Sequence, residues 1–91
     1  MEASGTIKAV FDIQKVSDRF QKREIVLTIE DDPKYPQHVS FVLTQDKCEL
    51  VNSKMIGSKV KVSFNLRGRE WNGIDGVKYF NTLEIWKLDK I

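Results

Sequence analysis

The sequence predicts an all-β domain: a small barrel of five strands, with one short helix between the third and the fourth. Two observations support this prediction. In five separate stretches apolar residues alternate with polar ones, which is the period at which strand side chains change faces. Only one stretch has apolar residues at helical spacing. The 91 residues suffice for a single domain, residues 1–91, with a modest core.

A polar loop separates the first two strands. The first strand is predicted over Gly5–Gln14 and the second over Arg23–Glu30. Between them, Lys15–Lys22 loses the alternation and is mostly basic, so we expect a loop there. The positions expected to face the core are Ile7, Ala9, Phe11 and Ile13 in the first strand and Ile25, Leu27 and Ile29 in the second.

A turn with two prolines, Asp31–Pro36, leads into the third strand, Gln37–Thr44. Proline cannot donate to a β-ladder, so this segment lies outside the sheet. The helix is predicted over Gln45–Ile56 and ends before Gly57, since glycine commonly follows a helix C-terminus. The expected core positions are Val39, Phe41 and Leu43 in the strand and Cys48, Leu50, Val51 and Met55 in the helix.

The fourth and fifth strands are predicted to form a long β-hairpin, with arms at Lys59–Trp71 and Val77–Lys87. Its tip, Asn72–Gly76, contains an Asn-Gly and an Asp-Gly dipeptide, both of which tolerate the positive φ of tight turns. In the first arm the even positions from Val60 to Leu66 are apolar. The odd positions are polar or basic and end in an aromatic: Lys59, Lys61, Ser63, Asn65, Arg67, Arg69 and Trp71.

The order strand, strand, strand, helix, strand, strand is that of the OB-fold, a five-stranded Greek-key barrel. A barrel also removes the exposed edges that alternating strands would otherwise leave. In OB-folds a face of the second and third strands binds ligand. It is flanked by the loop between the first two strands and by the loop between the last two.

Composition limits the possible functions. The net charge of +2 is only mildly basic, so the placement of charges matters more than their sum. The single cysteine, Cys48, excludes an intrachain disulfide and a cysteine-based metal site, and it fits a reducing compartment. The only histidine, His38, has no catalytic partner at a recognisable spacing. No secretory leader and no apolar run of about 20 residues is present. We therefore expect a cytoplasmic, non-enzymatic protein without a metal, a cofactor or a membrane span.

Trp71, with Arg67 and Arg69 beside it, is the strongest candidate binding site. An aromatic side chain stacks on any base for about 1–3 kcal/mol, and arginines pair with phosphates or stack themselves. The alternative is that Trp71 packs on a loop or a second subunit. Further candidates for nucleic-acid contact are Lys59, Lys61, Lys22, Arg23, Tyr35, His38 and Phe80. Strand parity places Tyr79 in the core and Trp86 outside, where we expect an oligomer contact.

Several segments carry a family resemblance. They are Ile56-Gly57-Ser58-Lys59-Val60, the stretch Asn65–Trp71, Asp75-Gly76 and Lys78-Tyr79. In these segments the chain resembles the bacterial single-stranded-DNA-binding protein family. It resembles still more closely a family of short, uncharacterised OB-fold proteins similar to that one. The latter also shares Phe41-Val42-Leu43, Asp46-Lys47, Lys61–Phe64 and Arg69–Gly73.

This resemblance implies sequence-tolerant binding of single-stranded DNA by a homo-dimer or homo-tetramer. RNA is a possible ligand as well, because stacking does not distinguish the two. Where the DNA-binding family has stacking aromatics on its third strand, this chain has His38 and Thr44, and Glu24 and Glu30 face outward on the second strand. These departures favour the alternative function, an OB-fold protein–protein interaction or assembly module that binds no nucleic acid.

Overall fold

The computed structural model describes the whole chain, Met1–Ile91, as six β-strands and two 3₁₀ turns. The strands are β1 (Glu2–Val10), β2 (Gln14–Ser17), β3 (Phe20–Ile29), β4 (Gln37–Thr44), β5 (Lys59–Gly73) and β6 (Gly76–Lys90). The 3₁₀ turns, Gln45–Leu50 and Ser53–Met55, lie between β4 and β5. Neither turn has the length or the apolar character of a helix that crosses a membrane.

Five of these strands close into a barrel in the order β1-β5-β6-β4-β3, because β1 pairs with both β5 and β3. Gly5 lies where β1 passes from one partner to the other. A Cβ at this position would be 2.6 Å from the Thr28 carbonyl oxygen, so glycine permits the close approach of β1 and β3. Between β4 and β6 the pairing is parallel and limited to Val42 and Glu84. The predicted five-stranded OB barrel is confirmed.

The core lies inside the barrel and is apolar throughout. Its central cluster consists of Ile7, Ile25, Leu27, Phe41, Leu43, Val51, Met55, Val60, Val62 and Ile85. Phe64 packs against this cluster and meets Phe41 edge-to-face, with ring centroids 5.2 Å apart. The cluster takes residues from all five barrel strands and from the segment between β4 and β5, as the alternation patterns predict.

The predicted loop at Lys15–Lys22 is wrong, because this segment contains β2, a two-residue turn and the start of β3. All four residues of β2 are exposed, so no burial selects an alternating pattern there. The first strand also begins and ends earlier than predicted, at Glu2 and Val10 instead of Gly5 and Gln14. A bulge between Ile7 and Ala9 breaks its parity, so that Phe11 lies exposed rather than in the core.

The segment between β4 and β5 forms 3₁₀ turns rather than one α-helix. Gln45 enters it with a positive φ of 52°, and Val51 interrupts it with extended backbone. The Arg23 guanidinium donates to the carbonyl oxygens of Cys48 and Val51, which a continuous α-helix would need for its own ladder. Burial follows the prediction at Cys48, Val51 and Met55, whereas Leu50 is exposed.

The hairpin tip is tighter than predicted. Gly73 and Gly76 pair with each other, so the turn is the two-residue loop Ile74–Asp75. Gly76, which directly follows this loop, has a positive φ of 117°, a conformation that glycine adopts without steric cost. The Asn-Gly dipeptide that ends at Gly73 belongs to β5 and forms no turn.

Candidate nucleic-acid interface

The β5–β6 hairpin continues past the barrel as a two-stranded arm. The last barrel pairing of β5 is Ser63 with Glu2, and that of β6 is Glu84 with Val42. Residues 66–83, which we call the arm, therefore pair only with each other. At about 3.3 Å per residue, the seven steps from Leu66 to Gly73 carry it about 23 Å beyond the barrel.

The register of the hairpin sorts the arm into two faces, because directly opposed residues point to the same side. One face, which we call the basic–aromatic face, carries Arg67, Arg69, Trp71, Lys78 and Phe80. Three of these were predicted from the first arm and Phe80 from the second. Lys78 was missed, because a two-residue Asp75-Gly76 loop would place Phe80 opposite Trp71, whereas the observed Ile74–Asp75 loop places Lys78 there.

The Trp71 indole is held in place by its neighbours while half of its surface stays exposed, at 50%. Its ring lies over Gly73, where a Cβ would come within 2.0 Å of Trp71 Cζ3. The Lys78 ammonium lies 6.0 Å from the ring centroid, within reach of a cation–π interaction. The ring therefore has contacts within the arm on one side and still presents area on which a base can stack.

The charges on the basic–aromatic face are almost all positive. Arg69 and Lys78 make no ion pair, whereas Arg67 lies 3.9 Å from Glu84. The nearest acidic residue in sequence, Glu70, points to the opposite face and accepts a hydrogen bond of 2.9 Å from the Tyr79 hydroxyl. This face thus has two free cations and one paired cation beside its two aromatics.

Tyr79, predicted to be in the core, is 73% exposed. Parity does place it on the same side of the hairpin as the buried Ile85, but the arm extends past the barrel at that point. No barrel residues remain there to cover the inner face, so the prediction of burial is wrong. Phe80 is half-exposed on the basic–aromatic face, directly opposite Arg69.

Lys59 and Lys61 lie at the other end of β5. Twelve residues separate Lys59 from Trp71, which is about 40 Å along an extended strand. Lys61 forms an ion pair with Glu2 at 2.7 Å. The hydrogen bond and charge of that carboxylate raise the pKa of Lys61, and the ammonium lowers the pKa of Glu2. The structure does not bring these two lysines to the arm.

Lys22 and Arg23 are adjacent in β3 and point to opposite sides. Arg23 faces the end of the barrel, where its guanidinium donates to the carbonyl oxygen of Cys48 at 3.3 Å and to that of Val51. Burial raises the pKa of the Cys48 thiol, and the Arg23 charge opposes this shift. Arg23 is therefore engaged in holding the 3₁₀ segment, and Lys22 alone faces outward.

Tyr35 and His38 lie near the start of β4, Tyr35 in the preceding turn and His38 in the strand. Tyr35 is exposed in the turn that precedes β4. His38 is exposed on β4, and a 3.0 Å hydrogen bond joins its Nδ1 to the Thr28 hydroxyl opposite. Both residues are on the surface, and neither pairs with β6, whose only partner in β4 is Val42.

A groove of about 460 Å³ lies where the arm leaves the barrel. Leu66 and Leu83 of the arm and Val42 of β4 form its apolar part, and Lys22 and Glu24 lie on the β3 side. Sequence reasoning missed this groove, because it results from the separation of β6 from β4 beyond a single residue pair. Its carboxylate would repel a phosphate, whereas its lysine would attract one.

Comparison with known proteins gives a family and a structural neighbour. The profile of one protein family, described as a domain of unknown function (DUF3127), matches residues 2–89. The chain belongs to this family. No curated protein matches the sequence. The match spans nearly the whole chain, and the description of the family names no function.

Among solved structures, the chain is similar to a deletion mutant of the single-stranded DNA binding protein from Thermus aquaticus. The TM-score is 0.66 at 16% sequence identity, and the match covers 99% of this chain and 48% of the other. The chain therefore spans about half the length of that protein. At this identity the likeness establishes a shared fold, so the resemblance seen in the sequence holds for the OB-fold and not for family membership.

Proposed function

We propose that this OB-fold domain binds single-stranded DNA with little sequence preference, and that the basic–aromatic face is its principal contact. The observation that carries this proposal is the grouping of two aromatics, Trp71 and Phe80, with three cations on one face of the arm. Bases stack on aromatic side chains whatever their identity, and phosphates follow the cations. The fold of the Thermus aquaticus single-stranded DNA binding protein supports the same ligand class. RNA would meet the same chemistry.

The other residues predicted to contact nucleic acid do not all belong to the proposed binding site. Lys22 lies beside the groove at the root of the arm and is the best placed to receive the phosphate backbone. Tyr35 and His38 would contact only a nucleic-acid strand long enough to reach the start of β4. Arg23 is left out, because its guanidinium already binds two carbonyl oxygens. The role is non-catalytic and, given an unpaired cysteine, cytoplasmic.

Titration with a dT oligonucleotide tests the proposal. Trp86 also fluoresces, so the measurement uses the Trp86→Phe background, in which the signal comes from Trp71. We expect quenching on binding. In Trp71→Ala no tryptophan signal remains, so the anisotropy of a labelled dT oligonucleotide measures its Kd, which we expect to be roughly 5- to 150-fold weaker, the equivalent of one stacked base at about 1–3 kcal/mol. The control is the Trp86→Phe protein itself, because Trp86 is a similarly exposed tryptophan that lies outside the arm.

Salt dependence provides an independent check. Three cations that each release about 0.7 counterion give a slope of about −2 for log K against log salt concentration. Arg69→Gln should reduce this slope by about one third, because Arg69 has no carboxylate partner in the protein. A folded wild-type protein that fails to bind the oligonucleotide at low salt would refute the proposed function.

The protein surface around Trp86 favours a second candidate function, that of an assembly module. Trp86 is the extra residue of a β6 bulge and is 49% exposed. The nearby cations are already paired, Lys61 with Glu2 at 2.7 Å and Lys87 with Asp89 at 3.7 Å. An exposed aromatic on a surface whose lysines are already paired with carboxylates suits contact with a second protein better than contact with a nucleic acid. Light scattering should detect a homo-dimer or homo-tetramer that Trp86→Glu dissociates, and a monomeric wild type would contradict this assignment.

A further inference from the structure

The tip of the arm exposes apolar side chains on both of its faces. Ile74, at the turn, is fully exposed. Trp71 is half-exposed on the basic–aromatic face, while Val77 and Tyr79 are exposed on the inner face. An antiparallel sheet element normally keeps one face polar and solvated. Exposed apolar side chains on both faces therefore point to a ligand that contacts both sides of the tip, beside the polar residues Asn72, Asp75 and Lys78.

The dimensions and charge of the arm suit the groove of a nucleic-acid duplex. Its two strands lie about 4.8 Å apart, and the major groove of B-DNA, about 12 Å wide, admits a two-stranded ribbon. The arm projects about 23 Å from the barrel, so its tip can reach the base pairs while the barrel stays outside. The cations Arg67, Arg69 and Lys78 lie along one face, where a phosphate backbone would run.

The residues at the turn itself suit bases better than phosphates. Apolar side chains of other DNA-binding proteins insert between base steps and unstack them, and Ile74 has the chemistry and the exposure for this. Asp75, next to it, would be repelled by phosphates. In a groove, however, a carboxylate accepts hydrogen bonds from the amino group of cytosine. Both side chains of the turn therefore favour contact with the base pairs.

We propose that the arm recognises the junction between double-stranded and single-stranded DNA. Ile74 inserts at the terminal base pair of the duplex and unstacks it, and the single strand that leaves the duplex stacks on Trp71 and Phe80. A junction satisfies both parts of the arm at once, because Trp71 needs an unstacked base and Ile74 needs the end of a stack. This inference rests on the proposed function and adds its substrate class.

The test compares three fluorescently labelled probes by anisotropy: a dT oligonucleotide, a blunt duplex, and the same duplex carrying the dT oligonucleotide as a tail. We expect the tailed duplex to bind at least about tenfold tighter than either component, which is the gain from burying one isoleucine side chain. Ile74→Ser should remove this preference and leave dT binding unchanged. Ile56→Ser is the matched control, because Ile56 is also an exposed isoleucine but lies outside the arm.

A 2-aminopurine placed in the terminal base pair gives a second readout. Its fluorescence should rise when the wild-type protein unstacks the pair and should stay low with Ile74→Ser. If the wild type binds the tailed duplex no more tightly than the dT oligonucleotide, or binds the blunt duplex equally well, the junction proposal is overturned while single-strand binding stands. If dT binding is absent or insensitive to Trp71→Ala, the proposed function itself has failed.

Discussion

The contact between Gly73 and Trp71 predicts a substitution that separates binding from stability. In Gly73→Ala, the new Cβ would lie 2.0 Å from Trp71 Cζ3 and 2.3 Å from Cη2. Carbon atoms in contact prefer about 3.5–4.0 Å, so the ring has to move by at least about 1.5 Å. Its far edge is exposed and free to swing, so we expect the free energy of unfolding to change by less than about 1 kcal/mol.

The displaced ring should nevertheless weaken binding. It leaves the position over Gly73 and beside Lys78 that presents its free face to a base. The loss of one base stack is worth about 1–3 kcal/mol, which corresponds to a roughly 5- to 150-fold rise in Kd. Fluorescence titration with dT in the Trp86→Phe background measures this rise, and the emission of the free protein reports the new environment of the indole.

The matched control is Gly68→Ala in the same strand. A Cβ there would lie 3.4 Å from the Asn81 Oδ1 and would not reach the indole. We expect nearly wild-type binding and emission from this variant. Unchanged Kd and emission in a folded Gly73→Ala protein would refute the conclusion that Gly73 positions Trp71 for stacking.

Two further predictions concern the barrel. Gly5→Ala places a Cβ 2.6 Å from the Thr28 carbonyl oxygen, so urea denaturation should show a loss of about 1–3 kcal/mol, typical of overpacking, and a wild-type unfolding midpoint would contradict the assigned close approach. Arg23→Met removes the hydrogen bonds to the 3₁₀ segment and should lower the free energy of unfolding by about 1.5–3 kcal/mol. The control is Lys22→Met at the neighbouring, outward-facing position, which should change the free energy of unfolding by less than about 0.5 kcal/mol. The opposite order of stabilities would show that the Arg23 contacts are not structural.

Most of the barrel could be predicted because burial on one side of a strand imposes a period of two. Ile25 and Leu27, or Val60 and Val62, are buried as their spacing requires. The prediction failed where burial does not act. β2 is held by backbone pairing alone, and Tyr79 keeps the parity of a core residue although the barrel has ended. Periodicity specifies which side of a strand a residue is on, but not whether anything covers that side.

The candidate binding site could likewise be predicted only in part. The OB order of elements and the grouping of Arg67, Arg69 and Trp71 follow from the amino-acid pattern, because side-chain alternation along one strand is local. The position of Lys78 beside Trp71 does not follow from that pattern, since cross-strand register depends on the length and placement of the turn in the folded hairpin. The fold also engages Arg23 and Lys61 away from the arm. Arg23 donates to the Val51 carbonyl oxygen, and Lys61 forms an ion pair with the Glu2 carboxylate. Such partners come from distant parts of the chain, and no spacing along one strand specifies them.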